Sequence, residues 1–149
     1  MGKTNGKTND GFIDQSDAEQ ARHEALLPDG MRQELGIYIR LARTNYEKAR
    51  TDLLAAFEKN PASAIDWHAE AMVKAQAEHE VWMRTEARMT SGDPREAMKT
   101  AIGEVAYAVR SFFGASSTSM FSNAVERAKA EAMVRLAETL EGLAKHFGI

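Results

Sequence analysis

The stretch from Asn60 to Asp93 predicts one long helix with well-marked ends. Asn60 can accept hydrogen bonds from the free amides of the first turn, and Pro61, at the first helical position, has no amide to lose. Gly92 predicts the end of the helix, because glycine enters the left-handed conformation easily. About thirty residues at 1.5 Å each make a rod about 45 Å long. A chain of this size buries such a rod only if other long helices run beside it.

Apolar residues recur along this predicted helix at helical spacing, within about one third of its circumference. We interpret this face as the buried one. Its members are Ile65, Ala69, Met72, Gln76, His79, Met83 and Ala87.

Three further segments show helical periodicity. The first runs from Met31 to Lys59, and its predicted core face consists of Met31, Leu35, Tyr38, Ala42, Tyr46, Ala49, Leu53 and Ala56, with Ile39 and Phe57 at the edge. The second begins at the Asp93-Pro94 cap, runs to about Phe113 and presents Met98, Ile102, Val105, Ala106, Val109, Phe112 and Phe113. The third runs from about Ser117 to His146 and presents Phe121, Val125, Ala128, Ala132, Leu136, Thr139, Leu143 and His146.

The segment before Met31 differs in composition. After Met1 it opens with GKTNGKTND, whose polar residues and glycines cannot offset the entropy of ordering by burial. We therefore predict a flexible polar arm over residues 1–13, and a single helical domain over residues 14–149. A short helix is expected from Asp14 to Leu27, ending before Pro28-Asp29-Gly30. No segment shows the period-two pattern of strands. The predicted fold is an all-α elongated bundle of three long helices and one shorter helix.

Composition narrows the classes of function. A net charge of −3 gives no global attraction to nucleic acid or to anionic membranes. The absence of cysteine excludes disulfides, thiolate catalysis and cysteine-ligated metals. No apolar run approaches the roughly 20 residues of a membrane span. The expected location is the cytoplasm.

The histidines and carboxylates do not form a recognisable catalytic or metal motif. His68 and His79 share one line of a helix, but 11 residues separate them, a rise of about 16 Å. Two ligands that far apart cannot share an ion. The chain has no Glu-x-x-His motif of di-iron bundles. We therefore expect no enzyme activity, no metal and no cofactor.

Apolar residues outside the predicted core faces indicate a second partner. Ile37 and Leu41 project from another side of their helix, and Trp67 points away from the predicted core face of its own helix. Large exposed apolar and aromatic side chains are typical of interfaces. We expect these three residues to bind a protein partner or a second copy of the chain.

Basic residues lie along one flank of the Met31–Lys59 helix. Arg32, Arg43 and Arg50 line up within about 20°, and Arg40 and Tyr46 lie close by. They could contact a phosphate backbone, or they could pair with the acidic Pro61–Asp93 segment.

Two functions follow. The first is a non-enzymatic interaction protein that self-associates or docks as a small subunit in a larger complex. The alternative is a nucleic-acid-contacting subunit or a small inhibitor. In size and class the chain is similar to small helical subunits of nucleoprotein effector complexes, CRISPR small subunits among them, and to small phage-encoded helical inhibitors. No specific residues carry this similarity.

Overall fold

A computed structural model describes the backbone of residues 3–114 and 124–149, and the side chains of residues 28–112 and 124–149. The described backbone forms four α-helices and no strand: α1 (Lys3–Lys59), α2 (Pro61–Ser91), α3 (Pro94–Gly114) and α4 (Ala124–Phe147). The predicted all-α bundle is confirmed. The predicted start of the last helix near Ser117, and the core positions Phe113 and Phe121, lie outside the described residues or side chains.

Helix α1 is longer than we predicted. Its backbone is helical from Lys3 through Pro28 to Lys59, where we expected an arm, a short helix and a break at Pro28-Asp29-Gly30. A proline inside a helix removes one backbone hydrogen bond at a cost of about 3 kcal/mol, but the amides around it keep their own partners. Helix propagation adds one bond per residue, so a single missing bond need not end the helix.

The joints around α2 show how its ends are satisfied. Asn60 Oδ1 accepts from the Ser63 amide at 3.3 Å, which confirms the predicted cap. Asp93 Oδ1 likewise accepts from the Arg95 amide at 3.0 Å at the start of α3. The left-handed conformation predicted for Gly92 is wrong, because this residue is extended, with φ −160°. Arg32 caps α2 instead, donating to the Met89 carbonyl and, at 2.8 Å, to the Gly92 carbonyl.

Helices α1 and α2 form an antiparallel hairpin, and α3 and α4 pack against α2. Tyr38 stacks on Trp82 across the hairpin with ring centroids 5.7 Å apart. Lys74 reaches Glu131 at 2.7 Å and so joins α2 to α4. On another side of α2, Arg84 and Arg88 both contact the Glu104 carboxylate of α3.

The predicted core faces of α1, α3 and α4 are largely confirmed. Met31, Leu35, Ile39 and Ala42 are buried in α1, and the later members of its face are half-buried. In α3 and α4 the buried predicted residues are Met98, Val105, Ala128, Ala132, Leu136 and Leu143. Periodicity missed Ala97, Ala101, Met133, Leu140 and Phe147, which are also buried, and it wrongly included the exposed Val125 and His146.

The predicted core face of α2 is wrong. The buried residues of this helix are Ala64, Val81, Trp82, Thr85 and Met89. At 100° per residue they centre about 140° away from the face that we predicted. α2 has three neighbours, so its buried surface is set by where α1, α3 and α4 lie. Thr85 is buried at no polar cost because its hydroxyl donates to the Val81 carbonyl at 2.8 Å.

The core is concentrated at the end of the hairpin far from Asn60. Among the described side chains between Arg43 and Glu80, Ala64 is the only buried one. Leu54, Phe57 and Ile65 lie within two turns of Asn60, and each is about half exposed or more, at 56%, 48% and 59%. This end of the hairpin therefore consists of two helices with little core of their own. No helix in the described part of the chain is long and apolar enough to cross a membrane.

Candidate functional site

The face of α2 that we predicted to be core lies on the outside of the bundle. We call its seven members, Ile65, Ala69, Met72, Gln76, His79, Met83 and Ala87, the α2 stripe. Ile65 and Met83 are 59% and 39% exposed, Gln76 and Ala87 are exposed, and the other three are half-buried. From Ile65 to Ala87 the stripe is about 33 Å long. The chain thus presents an extended helical face of low polarity outside its core.

The packing of α2 explains why the stripe is only partly covered. The side chains that contact α3 and α4, namely Arg84, Arg88 and Lys74, project from other sides of the helix. Helix α1 borders one edge of the stripe: Arg43 Nη2 lies 3.6 Å from Met83 Sδ, and Tyr46 stacks on His79 with ring centroids 4.7 Å apart. On the other edge, Gln76 lines a cavity with Ala108 and Phe112 of α3 and Lys129 of α4. Between these two edges Ile65, Gln76, Met83 and Ala87 are exposed.

Helix α1 extends the apolar surface near the turn of the hairpin. Leu54 and Phe57 lie on the same flank of α1 as Arg50, within about 40° around the helix. That flank borders the stripe, as the contact between Arg43 and Met83 shows. Leu54 and Phe57 therefore lie at the same end of the hairpin as Ile65, within about 9 Å of the turn. The sequence analysis had placed Phe57 at the edge of the core and had not singled out Leu54.

The arginine flank is divided between structural and free side chains. Arg32 is engaged with the last carbonyls of α2, and Arg43 binds the Glu86 carboxylate at 3.0 Å. Arg40 and Arg50 are exposed and have no ion-pair partner among the described residues. Tyr46 is stacked and half-buried rather than open to solvent. Two of the predicted phosphate contacts thus already bind the acidic helix.

The three predicted interface residues are exposed but do not form one patch. Ile37 and Leu41 are 56% and 54% exposed, and Trp67 is 78% exposed. Tyr38 lies level with Trp82, and Trp67 precedes Trp82 by 15 residues, a distance of about 22 Å along α2. The structure therefore separates Ile37 and Leu41 from Trp67, which lies near the hairpin turn.

Leu41 lies at the rim of a cavity of about 150 Å³ between α1, α2 and α4. The cavity is also lined by Tyr38, Trp82, Glu78 and Arg135. Burial raises the pKa of the Glu78 carboxyl above its ordinary value, and the nearby Arg135 guanidinium opposes that rise. Glu78 has no ion pair within the described part of the chain, so ionisation of this carboxyl lowers the stability of the fold.

Two other charged clusters have clear structural roles. Lys74 bonds to Glu131 and Glu70, and these bonds raise its pKa above the ordinary value. Burial acts to raise the pKa of Glu104, but its hydrogen bonds and charge interactions with Arg88 and Arg84 outweigh burial, so that the pKa lies below its ordinary value. Both clusters join neighbouring helices, and Arg88 Nη1 is buried without a hydrogen-bond partner among the described residues.

The described histidines do not cluster with carboxylates into a metal site. Among the described side chains, no three histidine, aspartate or glutamate residues converge on a point that could hold a metal ion. His79 stacks on Tyr46, and its Nε2 is buried without a hydrogen-bond partner among the described residues. His68 lies beside Ala71 and Ala75 in a separate shallow hollow.

Comparisons of the chain with protein-family models, with curated protein sequences and with solved structures give no match. Its function is therefore inferred from the geometry of its own residues.

Proposed function

We propose that this chain is a non-enzymatic helical interaction protein that docks in an assembly through the α2 stripe. The observation that supports this function is the position of the stripe, a regular helical face without Lys, Arg, Asp or Glu that lies outside the core of its own bundle and whose members Ile65, Gln76, Met83 and Ala87 are exposed. An amphipathic helix face of this kind is what partner helices recognise.

Regular spacing distinguishes the stripe from ordinary surface residues. Single apolar side chains are common on protein surfaces and carry no functional meaning. The stripe instead repeats at helical spacing over about six turns, and none of its seven positions is charged. A charge-free face of this length is costly to keep in water, so its retention favours a protein partner that covers it.

Ile37, Leu41 and Trp67 provide additional docking surface in this proposal. All three are more than half exposed, and they lie away from the stripe. Ile37 and Leu41 lie too far from Trp67 for one small contact to cover all three. An assembly with more than one neighbour would use them separately.

The nucleic-acid alternative receives less support. It depends on a row of free arginines, but Arg32 and Arg43 are engaged with α2. Arg40 and Arg50 are left, about 15 Å apart along α1, on a chain of net charge −3. Two phosphate contacts give weak binding that salt removes easily.

Affinity capture from the native source tests the proposed function. The baits are the wild type, an Ile65→Glu, Met83→Glu double variant and a Tyr107→Glu control. Tyr107 is 69% exposed on α3 and lies outside the stripe. We expect the wild type and the control to retain the same partner, the double variant to lose it, and nuclease treatment to leave the result unchanged. Equal capture by all three baits, or capture that nuclease abolishes, would contradict the proposal.

A further inference from the structure

We propose that the partner of the α2 stripe is a second copy of this chain. In this dimer two α1–α2 hairpins pack face to face, with α1 of each copy lying over α2 of the other. The inference rests on the proposed function, and it specifies both the partner and the arrangement. Four observations support it: the size of the face, the absence of charge within it, the charges of the two helices, and the heights of the apolar side chains.

The size of the face matches what a stable dimer needs. The hairpin is two helices wide, about 20 Å, and the stripe is about 33 Å long. One copy therefore contributes about 650 Å² from the stripe together with the bordering flank of α1, which carries Arg43, Arg50, Leu54 and Phe57, and two copies together bury about 1,300 Å². Stable protein interfaces bury roughly 1,200–2,000 Å² in total. Ala69 and Ala87 lie among the larger side chains of the stripe, and alanine lets a facing helix approach closely.

Charge favours a second copy over other occupants. The seven stripe positions carry no Lys, Arg, Asp or Glu, so a copy facing the stripe places no like charges in contact. From Gly30 to Asn60 there are six Lys/Arg and four Asp/Glu, whereas from Pro61 to Asp93 there are three and six. Placing α1 over the other copy's α2 brings a helix with an excess of positive charge next to one with an excess of negative charge. A lipid surface is a poorer match, since helices that bind it are rich in Lys and Arg.

The positions of the exposed side chains along the helix axis, measured from the hairpin turn, specify a two-fold axis that runs parallel to the helices. Leu54 and Phe57 precede Asn60 by six and three residues, and Ile65 follows it by five, so all three lie within about 9 Å of the hairpin turn. Rotation about an axis along the helices keeps the two turns at the same end. Leu54 and Phe57 of one copy then meet Ile65 of the other, and the reverse contact forms by symmetry. The alternative axis, across the helices, would place α1 over α1 and like charge surpluses together.

Light scattering across a concentration series tests the partner. We expect a wild-type mass that rises to twice that of one chain, 16.5 kDa, as concentration increases. The Ile65→Glu, Met83→Glu variant should stay at the mass of one chain with an unchanged helical circular dichroism spectrum, and the Tyr107→Glu control should follow the wild type. To guard against a variant that misfolds, a milder Met72→Gln, Met83→Gln variant should raise the dimer dissociation constant at least tenfold. A wild type that remains monomeric at several hundred micromolar, or stripe variants that dimerise normally, would overturn the inference.

Spin-label distances test the arrangement, and the chain suits this measurement because it has no cysteine. Lys59→Cys places a label on an exposed residue beside the hairpin turn. We expect two labels at this position to be close together in the dimer, because both turns lie at the same end. A stripe-dependent dimer in which these labels lie more than about 50 Å apart has its hairpins reversed. That result would overturn the proposed arrangement.

The two proposals fail in different ways. A monomeric wild type that still captures a protein through the stripe contradicts the second copy and leaves the interaction function standing. A monomeric wild type that captures nothing contradicts both.

Discussion

Individual side chains of the same type have very different roles in this chain, and Arg32 and Arg50 show the difference. Both lie on the flank of α1, and sequence spacing treats them alike. Arg32 donates to two carbonyls at the end of α2, whereas Arg50 is exposed and has no ion pair among the described residues. Spacing could show that the arginines share one side of α1, but it could not predict their partners. The partners depend on which residues of α2 lie opposite each arginine in the antiparallel hairpin.

Replacing Arg32 by glutamine should lower the free energy of unfolding by about 1–3 kcal/mol, because two charge-assisted hydrogen bonds to terminal carbonyls are lost. Arg50→Gln is the matched control on the same flank, and we expect a change of no more than about 0.5 kcal/mol. Urea denaturation followed by circular dichroism measures both. Equal effects of the two substitutions would show that the Arg32 cap contributes nothing specific.

Glu78→Gln should stabilise the protein at pH 7. Burial raises the pKa of this carboxyl in the folded chain, so the folded state favours the protonated form. Its ionisation therefore reduces stability as the pH rises above the ordinary carboxyl pKa of about 4.3 and through the higher folded value. Glutamine removes that ionisation, with a gain on the order of 1 kcal/mol at pH 7 that disappears below about pH 4. Melting temperatures at pH 4 and pH 7 test this, with the exposed Glu58→Gln as control. A destabilised variant at pH 7 would mean that the Arg135 charge outweighs burial.

At the scale of the helices, α2 shows what the sequence could and could not predict. Its start at Asn60 and Pro61, its length and its helical periodicity are all observed. The prediction of its inward face was wrong. The helix has two apolar sides, and periodicity alone cannot tell which of them is buried. Val81, Trp82, Thr85 and Met89 form the buried side, since α1, α3 and α4 all approach α2. The core faces of α1 and α4 were largely predictable, because their buried residues follow the strongest helical periodicity of each segment.

Two adjacent residues of α2 separate the core from the stripe. Trp82→Ala should reduce the free energy of unfolding by about 3–5 kcal/mol, because this side chain is 3% exposed and stacks on Tyr38. Met83→Ala should change it by no more than about 0.5 kcal/mol when measured on the dilute monomer. Chemical denaturation at low protein concentration provides both values. A large loss at Met83 and a small one at Trp82 would place the core where the sequence pattern first suggested.

At the scale of the whole molecule, the bundle has a well-packed end and a poorly packed end. The core lies where all four helices meet, while the hairpin towards Asn60 has one buried side chain, Ala64, between Arg43 and Glu80 in the described chain. A long hairpin with half-exposed Leu54, Phe57 and Ile65 at its end is an incomplete packing unit. Periodicity predicted a helical bundle with spare apolar side chains at Ile37, Leu41 and Trp67, but only the packing shows that the α2 stripe also lies outside the core. We infer that assembly completes the packing.

The methyl groups of methionine allow a direct test of the central claim, that the α2 stripe is exposed in one copy and covered by another. In a protein labelled with ¹³C-methyl methionine, a soluble paramagnetic probe broadens only the methyl signals that it can reach. In a single copy Met83 is 39% exposed and Met98 is fully buried. The methyl signal of Met83 is assigned as the one that is missing from the spectrum of a Met83→Leu variant. We predict that the probe broadens Met83 at low protein concentration, that this broadening disappears as the dimer forms, and that Met98 is protected throughout. A Met83 signal protected at every concentration would mean that the stripe belongs to the core, and one broadened at every concentration would mean that no second copy covers it.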